Sequence, residues 1–73
     1  MKTIAVITES AFKFRIHELE NINVQEPTNF VHIDSLNKAT GMRFDGHITL
    51  TNKYKLVGYD EILKTVILRT DAF

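Results

Sequence analysis

The sequence predicts a single small α/β domain over residues 1–73, with a three-stranded, mostly parallel sheet in the order 2-1-3 and two helices. The apolar run Ile4–Ile7 does not alternate with polar residues, which indicates a strand covered on both faces. Strand-like and helix-like segments alternate along the chain, as in a sheet with right-handed crossovers. The most buried strand is expected at the centre, so the first strand lies between the other two.

The segment after the first strand, Ala11–Glu20, has the apolar spacing of both a strand and a helix. Phe12, Phe14 and Ile16 alternate with charged residues, which is a strand pattern. Phe12, Ile16 and Leu19 also stand at i, i+4 and i+7, which is the spacing of a helix stripe. Residues that favour helices fill most of the other positions, so we favour a helix, with the strand as the alternative.

A second strand and a helical turn are predicted in the middle of the chain. The polar stretch Asn21–Asn29 is typical of a loop, and Phe30–Ile33 follows it as a short strand. Ser35 is a suitable N-cap for a helical turn over Leu36–Thr40, as Ser10 is for the first helix. Gly41 is expected to end this turn in a left-handed conformation.

The third strand allows two interpretations of the C-terminal half. His47–Thr51 alternates, with Ile48 and Leu50 toward the core, which predicts an edge strand with one solvated face. Alternatively, residues 47–59 form a hairpin around Asn52-Lys53, which gives an α+β fold with a C-terminal β-hairpin. Asn-Lys is a weaker turn signal than Asn-Gly, so we favour a loop over residues 52–59.

The last segment has the clearest helical period. Apolar residues fall at i, i+3, i+4, i+7 and i+8, and these are Tyr59, Ile62, Leu63, Val66 and Ile67. Asp60 and Glu61 lie in the first predicted turn and Arg69 in the last, an arrangement that complements the helix dipole.

The composition excludes several classes of protein. Nine basic and nine acidic residues give a net charge of zero, and 44% of the residues are hydrophobic, which is ordinary for a globular domain. The lack of cysteine excludes a disulfide scaffold, a cysteine-based zinc finger and thiol catalysis. No apolar run approaches the roughly 20 residues of a membrane span. The start, MKTIAVITES, is too short for a signal peptide, so we expect a cytoplasmic protein without membrane contact.

Polar residues follow each predicted strand, at the edge where open α/β sheets bind ligands. A small-ligand site at this strand-end edge would comprise Thr8, Glu9, Ser10, Asp34, Ser35 and Asn52. The same residue types cap helices and form turns, and this structural role is the interpretation we favour.

No motif for catalysis or cofactor binding is present. There is no glycine-rich phosphate loop. There is also no nucleophile elbow, and without one we do not expect Ser10, His32 and Asp34 to act as a catalytic triad. His17, His32 and His47 match no metal-ligand spacing, and His17 is expected on the outer side of the first helix. We therefore expect no enzyme, no catalytic residue, no metal site and no cofactor.

The charges are unevenly spread along the chain. An acidic stretch consists of Glu18, Glu20, Glu26 and Asp34, and a basic cluster consists of Lys38, Arg43, Lys53 and Lys55. The basic cluster is a candidate site for nucleic acid, which the neutral net charge does not favour. The complementary stretches instead favour a homo-oligomer.

Apolar residues in an irregular segment indicate an interaction surface. This candidate interaction patch consists of Tyr54, Leu56, Val57 and Tyr59. Alternatively, the segment packs onto the sheet, because a small domain needs its apolar residues for the core. We favour a non-enzymatic protein-interaction module with an unidentified protein partner, over a small-ligand or nucleic-acid module.

Two stretches resemble known families. FVHIDSLNKATGMRFDGHITL resembles the strand, short helix and Gly-x-Arg-Phe-Asp pattern that precedes Walker B in motor-type NTPases. Thr51-Asn52 stands where that family has acidic residues, and Walker A is missing, so no nucleotide-binding residue is carried over. From VITES to DEILKTVILR the chain also resembles short α/β proteins of tailed bacteriophages. This resemblance implies an accessory or host-modulating role in the host cytoplasm, through binding a host or phage protein.

Overall fold

The computed structural model describes residues 2–21 and 27–70. The elements are β1 (Lys2–Ile7), α1 (Ala11–Glu20), β2 (Thr28–Ile33), α2 (Leu36–Thr40), β3 (Gly46–Thr49) and α3 (Tyr59–Leu68). β1 pairs in parallel with both other strands, so the sheet order is β2-β1-β3. This confirms the predicted fold class and strand order. The hairpin alternative is wrong, because the chain makes turns after β3 and then enters α3.

The helices pack on both faces of the sheet, and the strand register shows which residues lie on each face. Val6 is level with His32 and Ile48, and α1 lies on the face that these three share. The neighbouring row, which includes Ala5 and Ile7, faces α2 and α3. The sheet is thus covered by two helices on one face and by one helix on the other.

The main core lies between the sheet and the helices α2 and α3. Its buried members are Ala5, Ile7, Ile33, Ala39, Phe44, Leu56, Ile62 and Val66. Val6 is equally buried on the α1 face, whereas Ile4 on that face is only half-buried. The prediction that the whole run Ile4–Ile7 is covered is therefore wrong at Ile4, although β1 is the central strand, as expected.

The observed helix caps agree only in part with the caps predicted from the sequence. Ser10 caps α1 as predicted, since its Oγ accepts a hydrogen bond from the Lys13 N–H at 3.2 Å. Ser35 occupies the N-cap position of α2 but makes no capping bond with its side chain. Gly41 has φ −95°, so the predicted left-handed stop is wrong. The left-handed conformation occurs instead at Gly58, at φ 75°, where the chain turns into α3.

Helix α1 forms as favoured, but it packs on the sheet through a different side from the apolar stripe. Phe14 stacks on His32, with ring centroids 5.0 Å apart. His17 meets Phe30 edge-on at 5.1 Å and is half-buried, so the prediction that it lies outward is wrong. At 3.6 residues per turn, the opposite side of the helix is apolar and exposed. We call this side the outer stripe, and it consists of Phe12, Ile16 and Leu19.

Helix α3 packs largely as its period predicts. Ile62 and Val66 are buried, and the first turn is acidic. Ile67 is exposed, so the predicted stripe is one residue too wide, and Arg69 lies just beyond the last turn. The C-terminal helix was thus predictable in position but not in its full contact surface.

The outer strands differ from their predicted bounds. β2 begins at Thr28, two residues before the predicted start, and the loop residues 22–26 lie outside the described residues. β3 is an edge strand, as expected, but ends at Thr49. Ile48 and Leu50 are only half-buried. They share the α1 face, where one helix covers three strands and packs mainly on β2.

Candidate functional site

The carboxyl ends of the three strands lie together, as the parallel topology requires. The Thr8 N–H donates to the Ile33 carbonyl at 3.2 Å, and the Leu50 N–H donates to the Ile7 carbonyl at 2.9 Å. Sheet hydrogen bonding therefore continues just past the strands. The residues predicted at the strand-end edge are brought to one end of the molecule.

Polar groups at this edge are used within the fold. Thr8 is fully buried, and its Oγ1 accepts a hydrogen bond from the Ser10 N–H at 3.2 Å. The Nε2 of His32 donates to the Thr8 carbonyl at 3.0 Å. These bonds join the end of β1 to the start of α1 and to β2, so the three residues hold the elements in position.

The two carboxyl groups at the edge are both stabilised in their charged form. A hydrogen bond from the Thr51 side chain is the main cause that lowers the pKa of Glu9, and Lys13 and Lys55 also contribute. The Lys38 ammonium, 2.8 Å from the Asp34 carboxylate, lowers the pKa of Asp34. A general acid or base is most effective when its pKa lies near neutral pH, and both shifts move the carboxyl pKa further below neutral.

The Asp34–Lys38 pair predicts a small pH-dependent contribution to stability. Because the pKa of Asp34 is lower in the folded state, its stabilisation is present above the ordinary carboxyl pKa and is lost as the pH falls through the folded value. We expect Lys38→Met to lower the free energy of unfolding at neutral pH by less than about 1 kcal/mol, because both side chains are partly exposed and screened by water.

Urea denaturation at a series of pH values checks this prediction. The difference between wild type and Lys38→Met should vanish in acid, where Asp34 is protonated in both states. Lys64→Met is the control, since Lys64 does not contribute to the Asp34 shift. A Lys38→Met deficit that persists unchanged in acid would show that the lysine acts through packing instead.

The fold brings together only part of the predicted basic cluster. Lys38 lies on α2, and Arg43 lies in the connection from α2 to β3, at the amino end of the strands. Lys53 and Lys55 follow β3 at the carboxyl end. Of the acidic stretch, Glu26 lies outside the described residues. Lys38 is paired with Asp34 at the strand-end edge, so three of the four basic residues lie toward the carboxyl end and Arg43 lies apart.

The sheet separates His47 from the other two histidines, which both lie on the α1 face. His32 is level with Val6 and His47 with Ala5, so these two histidines lie on opposite faces. Within residues 2–21 and 27–70, no three His, Asp or Glu side chains come together in a way that could hold a metal ion. In the same ranges, none of the helices combines the length and apolar character that a membrane span needs.

The connection from β3 to α3 is an ordered series of turns, which we call the β3–α3 loop (residues 50–58). The Asn52 side-chain oxygen accepts a hydrogen bond from the Tyr54 N–H at 2.9 Å, and the Asn52 carbonyl accepts one from the Lys55 N–H at 3.1 Å. This is the turn-forming role typical of asparagine. Asn52, predicted at the strand-end edge, therefore shapes the loop.

The residues of the candidate interaction patch differ in burial. Leu56 is only 5% exposed and belongs to the core, and Tyr59 is half-buried against it. Tyr54 and Val57 are 86% and 95% exposed. The Nζ of Lys53 lies 5.3 Å from the centroid of the Tyr54 ring. Two of the four predicted residues thus remain on the surface, and Leu56 anchors the loop between them.

A groove that the sequence did not predict lies between α1 and the end of β3. Its volume is about 240 Å³, and it is lined by Lys13, Ile16, His17, Glu20 and Leu50. Among the described residues, the Nε2 of His17 is buried without a hydrogen-bond partner. No sequence signal indicated this groove, because its position depends on which side of α1 faces the sheet.

Comparison with known proteins provides no relative. No protein-family model, curated protein or solved structure matches the chain. The resemblances to phage proteins and to motor-type NTPases therefore stay predictions. The function must be argued from the surface itself.

Proposed function

We propose that the protein is a non-enzymatic interaction module that binds a protein partner through the β3–α3 loop. The observation that carries this proposal is the exposure of Tyr54 and Val57 on either side of Leu56, which is fixed in the core. Large apolar side chains that are this exposed on an ordered loop are typical of contact surfaces.

Hydrogen bonds already hold the loop in one conformation, so it loses little conformational entropy when a partner binds. Asn52 fixes the turn before Tyr54, and the Tyr59 N–H bonds to the Leu56 carbonyl at 3.1 Å. A surface already held in its bound conformation loses less entropy on association. Tyrosine is also among the residues that contribute most to protein interfaces.

The charges near Tyr54 indicate the chemistry of the partner. Lys53 lies beside the Tyr54 ring, and Lys55 is close enough to Glu9 to help lower the pKa of that carboxyl group. Lys53 thus adds positive charge at the aromatic contact. We propose an acidic surface on the partner, and the resemblance to phage proteins favours a host or phage protein in the host cytoplasm.

The alternative, a small-ligand site at the strand-end edge, has less support. The buried hydroxyl of Thr8 and the carboxylates of Glu9 and Asp34 already have partners within the chain. A ligand would have to compete with these contacts. The nucleic-acid alternative is weakened in turn because Lys38 is paired with Asp34, Lys55 lies near the Glu9 carboxylate, and Arg43 lies at the other end of the strands.

Capture of the partner by tagged protein, in lysate of the source cells, tests the proposal. We expect Tyr54→Ala combined with Val57→Asp to reduce the captured partner at least about tenfold, since loss of a central aromatic contact costs about 2 kcal/mol. Both residues are exposed, so the variant should fold like wild type.

Leu68→Asp is the matched control, because Leu68 is an exposed apolar residue at the far end of α3. It should retain the partner. Equal capture by the loop variant and wild type would contradict the proposal, as would equal loss with the control.

A further inference from the structure

The outer stripe of α1 is largely exposed to solvent and includes neither Tyr54 nor Val57 of the proposed loop contact. Phe12 is 74% exposed, and Leu19 is also exposed. An amphipathic helix normally directs its apolar side toward the core, whereas α1 directs Phe14 and His17 there. An apolar helix side that faces solvent indicates a contact surface.

A matching depression lies beside this stripe. The groove between α1 and β3 has a volume of about 240 Å³ and is bounded by Ile16 of the stripe and by Leu50 of β3's extension. A cavity of about 150 Å³ accommodates benzene, so the groove has room for one aromatic ring. The groove lies roughly a quarter turn round the helix from Phe12, on the side of Ile16, so it borders the outer stripe.

The charges on α1 point to the occupant. Lys13 and Arg15 lie in the first half of the helix, and Glu18 and Glu20 lie in the second half. Arg15 pairs with Glu18 at 3.6 Å within the same helix, so Lys13 and Glu20 are the charges that an interface would use. A helix of the same sequence that runs antiparallel would place basic residues opposite acidic ones at both ends. Self-complementarity of this kind is the requirement for a two-fold interface.

We propose that α1 is the dimer contact of this protein, and that its partner is a second copy of the chain. The two α1 helices cross antiparallel about an axis near Ile16. Phe12 of each copy packs against the outer stripe of the other, and Lys13 faces the partner subunit's Glu20. The α1 surface adjoins the β3–α3 loop at Leu50, but this inference does not require Tyr54 or Val57 to bind a partner.

The size of the contact sets its strength. A helix of ten residues is about 15 Å long, so the buried area lies at the low end of the range for specific interfaces. We expect a reversible dimer at micromolar concentrations, in which the apparent mass rises from 8.4 kDa toward twice that value.

Sedimentation equilibrium with charge-reversal variants tests the arrangement. Lys13→Glu and Glu20→Lys should each weaken the dimer about tenfold, because like charges then face each other twice across the axis. The combined variant K13E/E20K restores opposite charges and should dimerise like wild type. Lys13 is also 3.9 Å from Glu9 within one chain, so thermal melts must show that each variant is folded.

The apolar part is tested with Phe12→Asp, which should leave the protein folded and monomeric because Phe12 makes its contact only in the dimer. Leu68→Asp is the control and should dimerise. A wild type of 8.4 kDa at every concentration would overturn the inference. Failure of the double charge reversal to restore the dimer would overturn it as well. Partner capture by the loop is measured separately, so the two proposals fail independently.

Discussion

Val6→Asp is expected to abolish cooperative folding. Val6 is fully buried in the central strand, level with His32 and Ile48 on the two neighbouring strands. The nearest basic group is the ring of His32, whose Nε2 is already bonded to the Thr8 carbonyl, and a buried charge that is not fully paired costs several kcal/mol. Small domains are stable by about 5 kcal/mol or little more, so the whole stability is removed.

Thermal and urea denaturation followed by circular dichroism check this expectation. Wild type and the surface control Val57→Asp should show the same sigmoidal transition, because Val57 is solvent-exposed. Val6→Asp should show none. A cooperative transition in Val6→Asp close to that of wild type would show that β1 is not the central buried strand.

Leu56→Lys should destabilise the domain severely, by about 3–5 kcal/mol, since it removes a core side chain and places an ammonium group among apolar residues. The adjacent Val57→Lys should change the free energy of unfolding by less than about 0.5 kcal/mol. The two substitutions introduce the same residue at neighbouring positions, so burial is the main difference between them.

Urea titration measures both values, and it separates two interpretations of Leu56. An exposed Leu56 in the candidate interaction patch would predict that Leu56→Lys only weakens association. Its place in the core predicts unfolding instead. A stable, monomeric Leu56→Lys protein would contradict the structure of the loop.

The sheet was predictable because its signals are strong and local. The run Ile4–Ile7 lacks alternation, and such a run is typical of a strand with two covered faces. The period of α3 identified Ile62 and Val66 as core residues. Right-handed connections between parallel strands permit few arrangements of three strands, so the strand order could be predicted as well.

The orientation of α1 was not predictable from its apolar period. The sheet face below it presents Phe30 and His32, and these rings select Phe14 and His17 on the helix by aromatic contact. Hydrophobicity alone favours Phe12 instead. The correct side depends on residues that are distant in sequence, so the outer stripe and the groove emerge only from the fold.

The candidate interaction patch was predicted in position but not in detail. An irregular loop has no period that separates a buried from an exposed neighbour, so Leu56 and Val57 look alike in sequence. The left-handed conformation could not be assigned between Gly41 and Gly58 either, because both glycines lie next to a helix. Burial within loops depends on tertiary contacts, which no local pattern encodes.

The most direct test of the proposed function is photo-crosslinking from the β3–α3 loop in the source cells. A benzophenone amino acid replaces Val57 in one variant and Leu68, which is also exposed, in a second variant. The account predicts a covalent adduct with a different protein from position 57, and none from position 68. Adducts from both positions alike, or none from position 57, would contradict the claim that this loop is the partner-binding surface.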